Sequence, residues 1–108
     1  MTAYLIADIK VTEHGWIPAY GADVHKLVEK HGGRYLARSA RIETLEGDVK
    51  DSTLIAILAF PDRAAIESFA SDPAYAPYGD ARRSGSISTF LVIDDTDVAG
   101  TIPYLKAG

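Results

Sequence analysis

Two segments of this chain carry large apolar side chains on both sides of a two-residue repeat. Leu54, Ala56, Leu58 and Phe60 alternate with Ile55, Ile57 and Ala59, and further on Ile87, Leu91 and Ile93 stand opposite Phe90 and Val92. Successive side chains of a strand point to opposite faces of its sheet, so strands of this kind need cover on both faces. Exposing one face would forfeit roughly 1.5–3 kcal/mol for each large side chain. The rest of the chain, or a second molecule, must supply that cover.

The remaining elements follow from periodicity. Ala3, Leu5, Ala7, Ile9 and Val11 form one apolar side of a first strand, with Tyr4, Ile6, Asp8 and Lys10 on the other. After Gly15, the residues Ile17, Tyr20, Val24, Leu27 and Val28 recur at helical spacing until Gly32-Gly33, with Pro18 in the first turn, where a missing amide proton costs little. Arg34 to Leu45 reads as a long strand with a bend near Ser39-Ala40, and Ser52 to Phe60 as a central strand. Asp62 is placed to cap a short helix bearing Ala65, Ile66 and Phe69, and Asp72-Pro73 starts a second helical stretch that Pro77 shortens. Ile87 to Ile93 is the last strand. The order β-α-β-β-α-β predicts an α+β, ferredoxin-like fold, with helices on one face of an antiparallel sheet. Two helices cover one face only, so the other predicts sheet-to-sheet packing in a homodimer, the alternative being that the C-terminal segment supplies the cover.

A chain of 108 residues forms a single domain. Residues 1–95 are assigned to it, and residues 96–108, with Ile102, Tyr104 and Leu105, to an extension docked on the body or on a partner subunit. The balance of 11 basic against 15 acidic residues argues against a nucleic-acid or anionic-membrane partner. With no cysteine there is no disulfide, thiolate nucleophile or cysteine-held metal. No apolar run approaches the length of a spanning helix, and the start of the chain does not read as a signal peptide, so a cytoplasmic setting is expected.

Several short blocks carry a family resemblance: Ala3-Tyr4-Leu5-Ile6-Ala7, Lys30-His31-Gly32-Gly33-Arg34-Tyr35-Leu36-Ala37-Arg38, Leu45-Glu46-Gly47, Phe60-Pro61-Asp62-Arg63-Ala64-Ala65, and Ser71-Asp72-Pro73-Ala74-Tyr75 with Arg82. In this order, over roughly residues 2 to 95, the chain resembles the domain of unknown function 1330 family. The resemblance implies the dimeric α+β barrel superfamily, in which two ferredoxin-like sheets pack face to face. It also implies kinship with monooxygenases, dismutases and isomerases of small aromatic or carbonyl compounds, without selecting a reaction. The chain departs from the family pattern at Phe69, Pro77 and the Gly15-Trp16 entry to its first helix.

Candidate chemistry centres on a cleft between sheet and helices. Asp8, beside Ile6 on its strand, is a candidate acid or base if the apolar surroundings raise its pKa; its structural alternative is an ion pair. His25 is a candidate pocket base or a surface partner of Glu29, four residues on. Simple alternation puts Arg34 and Arg38 on one strand side, where a guanidinium holds a carboxylate through two bonds. Tyr20, Tyr75, Tyr78 and Arg82 would complete an aromatic, cationic pocket for a small acid. His14 belongs to a loop and His31 to a helix end. No zinc-protease, calcium-loop or nucleotide-loop spacing is present, so neither metal nor cofactor is expected. The reading is a small homodimer that binds or transforms a small aromatic or carboxylate-bearing compound. In a reaction, Asp8 or His25 would move a proton and Arg38 or Arg82 would stabilise a carboxylate or oxyanion. The alternative is a non-catalytic dimeric binding or stress-associated protein, and the sequence leaves open whether the chain is an enzyme.

Overall fold

The computed structural model describes residues 1–99, so Ile102, Tyr104 and Leu105, expected to dock on the body or on a partner subunit, lie outside the described residues. Its elements are β1 (Ala3–Val11), α1 (Ile17–Lys30), β2 (Arg34–Ser39), β3 (Leu54–Phe60), α2 (Arg63–Ser71), α3 (Ala76–Ser84) and β4 (Ser86–Asp94). The four strands form one antiparallel sheet in the order β2-β3-β1-β4, which is the ferredoxin-like arrangement, with the second helical segment divided into α2 and α3. The sheet is open. This corrects the barrel expected from the family resemblance: β2 and β4 are the two edges and do not pair with each other, and closure would require that ladder.

Local chemistry sets the helix ends. Pro18 occupies the first turn of α1, and the helix stops where Gly32 adopts φ 79°, the left-handed region that favours glycine. Gly33 N then donates to Val28 O at 2.9 Å, satisfying a carbonyl of the last turn. The Asp62 carboxylate caps α2 by accepting from Ala65 N at 2.8 Å. Pro77 also falls in the first turn of its helix, which is why α3 runs regularly from Ala76 to Ser84.

The helices cover the sheet face formed by Leu5, Ile9, Leu58 and Phe60, and the core closes with Val24, Val28, Ile66, Phe69 and Tyr75. The end of α1 is tied to the turn before α3 through Asp72, which accepts from His31 Nε2 at 2.8 Å, Lys30 Nζ at 3.0 Å and Ala74 N at 2.9 Å. These bonds, that from His31 foremost, hold the Asp72 carboxyl well below the usual carboxylate range.

The long strand expected from Arg34 to Leu45 is shorter, ending at Ser39, and residues 40–53 are irregular. Its irregularity also falls earlier than the expected bend at Ser39-Ala40: the register on β3 shifts between Tyr35 and Ala37. That bulge reverses the facing of every later residue of the strand.

On the face of the sheet away from the helices, Tyr4, Ile6, Ile55 and Ile57 lie side by side with Ile87, Leu91 and Ile93. The last three are 66%, 56% and 50% exposed. No helix is long and apolar enough to cross a membrane among the described residues.

Candidate functional site

Three small residues open a cavity where larger neighbours fill the core. Val24 and Val28 of α1 are each 1% exposed. Gly21 lies seven residues before Val28, on nearly the same side of the helix, and a Cβ built there meets nothing within 4 Å. On the sheet, Ala7 stands opposite both Ala56 and Phe90. Gly21, Ala7 and Ala56 all line a cavity of about 320 Å³ between α1 and the sheet. Leu5, Ile9 and Leu58 continue its apolar floor, while the exposed residues Ile17, Gly21, Arg38 and Thr53 mark its opening.

Trp16 forms one wall. Its indole N–H donates to Gly85 O at 3.0 Å, and its ring meets Tyr20 edge-on with centroids 5.2 Å apart. The polar side of the cavity is formed by Tyr20, His25, Tyr35 and Arg38. The Arg38 guanidinium lies over the Tyr35 ring, 4.4 Å from its centre. Burial pushes the Tyr20 phenol well above its ordinary pKa, with the nearby Tyr75 adding to the shift and Arg82 opposing it. Burial also pushes Tyr35 up, against the charge of Arg38. Both phenols therefore stay protonated at neutral pH and can donate to a ligand oxygen.

Of the residues singled out by sequence, Tyr20, His25 and Arg38 come together at this cavity. Tyr75 and Arg82 line a second cavity of about 260 Å³, which shares Leu5, Phe69 and Phe90 with the first. The Tyr20 and Tyr75 hydroxyls are 2.8 Å apart between them.

The structure does not bring Asp8, Arg34 and Tyr78 to the cavity. Asp8 pairs with Ile55 and Thr89 on the opposite sheet face, where its carboxylate accepts from Ser52 Oγ and ion-pairs with Lys50 Nζ at 2.9 Å. Those partners, Ser52 before Lys50, lower its pKa, so the raised value expected for an acid or base is corrected. Arg34 aligns with Ala59 on that same far face, whereas the bulge aligns Arg38 with Ala56 on the helix side. The two arginines expected to share a side are therefore on opposite ones. Tyr78 instead donates to Asp23 Oδ2 at 2.8 Å.

Sequence reasoning passed over Gly21, Tyr35 and Phe90 as site residues. An isolated glycine inside a helical pattern was the available signal for the first. Among the described residues, no group of three or more His, Asp or Glu could hold a metal ion.

Residues 2–96 match the family described as a domain of unknown function, DUF1330. No curated protein matches the chain. Among solved structures, a protein of unknown function from Rhodopseudomonas palustris is 17% identical with a TM-score of 0.76, over 89% of this chain and 83% of that one. SnoaB, a cofactor-independent oxygenase from Streptomyces nogalater, is 16% identical with a TM-score of 0.62, over 94% and 97% of the two chains. A structure described as an antibiotic biosynthesis monooxygenase is 14% identical with a TM-score of 0.55, over 90% and 100%. At these identities the likeness is one of fold.

Proposed function

Because the chain belongs to the DUF1330 family, whose description assigns no activity, its site must carry the functional reading, and we propose that it binds a small, flat, largely apolar compound between α1 and the sheet. The observation behind this is the apolar cavity left by Gly21, Ala7 and Ala56, with Tyr20, His25, Tyr35 and Arg38 gathered on it. Enclosure by apolar walls with a few convergent polar groups is the general form of a small-molecule site. The ligand's phenol or carbonyl oxygen accepts from Tyr20 or Tyr35, and a carboxylate substituent meets Arg38 at the opening. In a reaction, His25 is the proton-transfer group and the two phenols stabilise an oxyanion. Two structures of this fold are described as oxygenases, which supports small-molecule chemistry on such a frame.

Titration calorimetry with 1-naphthol tests the reading. Wild-type protein should bind it at one site, and Gly21→Leu, whose side chain enters the opening, should weaken it at least tenfold. The variant should melt higher, since glycine costs roughly 0.5–1 kcal/mol in a helix interior. Unchanged binding in the variant, or no binding by wild type, would refute the proposal.

The open sheet face motivates a second reading, that its occupant is a second copy of this chain. Ile87, Leu91 and Ile93 are contiguous there with the half-buried Tyr4, Ile6, Ile55 and Ile57. The charged groups at its end are paired internally, Asp8 with Lys50 and Lys10 with Asp51, so two copies meet without net repulsion from these groups. Light scattering at micromolar concentration should give twice the 11.6 kDa chain mass, and Leu91→Asp should return it to 11.6 kDa. A wild-type species at the single-chain mass overturns this reading.

A further inference from the structure

We propose that the second cavity is a carboxylate-binding site, built around Arg82 and shaped for a small monocarboxylic acid with an apolar body. Arg82 is 6% exposed and is the one charged residue buried as a whole among the described residues. Its Nε is enclosed without a hydrogen-bond partner, and its guanidinium makes no ion pair among the described residues. The adjacent Arg83 also lines this cavity, but its side chain is exposed and its charge is ion-paired with Asp80. Buried charges are otherwise paired or hydrogen-bonded, so an unpaired guanidinium facing a cavity points to an anion from outside the chain.

The surroundings narrow the chemistry. The Phe90 ring lies 4.2 Å from the guanidinium carbon, which favours a buried cation but leaves its planar N–H fork unused. That fork matches the two oxygens of a carboxylate. Ile66, Ala70, Val92 and Leu5 supply apolar walls for the rest of the molecule, in a cavity of about 260 Å³.

The site is distinct from the naphthol cavity and its test separates the two. Calorimetry with benzoate and with benzamide, its uncharged analogue, should show benzoate at least tenfold tighter. Arg82→Met, which keeps the volume and removes the charge, should abolish the preference; Arg82→Lys should retain part of it. Amide shifts on adding benzoate to wild-type protein should centre on Ile66, Ala70 and Val92, which line the second cavity and not the first, a readout that stands even where a variant folds poorly. Gly21→Leu should leave benzoate binding intact. Equal affinity for the two probes, an undiminished preference in folded Arg82→Met, or shifts centred on Gly21 would overturn the proposal.

Discussion

Alanine in place of Gly85 should lower folding stability by about 3 kcal/mol and impair ligand uptake in the same step, from overpacking and loss of a buried hydrogen bond. The backbone at Gly85 has φ −111°, which any residue adopts, so the cause is purely steric. The added Cβ would sit 2.3 Å from Trp16 Cδ1 and 2.6 Å from Nε1, with Glu13 O only 3.2 Å away on another side. The indole must move, which breaks its bond to Gly85 O, and because Trp16 lines the larger cavity, the displacement alters the site. For a domain of this size the loss corresponds to a fall in Tm of roughly 12–24 °C. Thermal melts and naphthol titration measure both effects, and a change under about 1 kcal/mol, the lower edge of the overpacking range, would show that the indole yields easily.

Phe60→Ala should be the most damaging core substitution, costing about 3–5 kcal/mol. Phe60 is 2% exposed, and its ring packs against Phe69 with centroids 5.7 Å apart. It also fills the space beside Gly33, where an added Cβ would lie 2.5 Å from Phe60 Cε1. This ring therefore holds the turn that leads from α1 into β2, and removing it opens a cavity between that turn and Phe69. Against a typical total of 5–15 kcal/mol, the variant is marginal at best. Urea denaturation should show a lower midpoint with the slope retained; a loss below about 1.5 kcal/mol would mean that Phe69 collapses into the space.

The faces of β1, β3 and β4 and the order of strands and helices were legible because alternation and helical spacing are local signals. Arg34 and Arg38 show where that ends. Four residues apart, they share a side in any regular strand, and only the pairing with β3 reveals the bulge that separates them. Asp8 failed as a pocket group for a related reason: alternation gave its side of β1 correctly, but which side the helices would cover depends on the whole sheet. The larger cavity was harder still, since Ala7, Gly21 and Ala56 come from three elements and mean nothing until register aligns them. The barrel was an inference about an assembly, carried over by resemblance, and the sheet of the described residues is open at β2 and β4.

The contact between the Tyr20 and Tyr75 hydroxyls gives the molecule a directional relay. Either oxygen can be the donor at 2.8 Å, but each hydroxyl has one proton. An acceptor that engages the Tyr20 proton in the larger cavity obliges Tyr75 to donate toward Tyr20, and Tyr75 then presents only lone pairs to the smaller one. That polarity would oppose a carboxylate resting beside Tyr75, so the two proposed ligands would compete through this contact. Such antagonism would be reciprocal by thermodynamic necessity: each compound would weaken the other by the same factor.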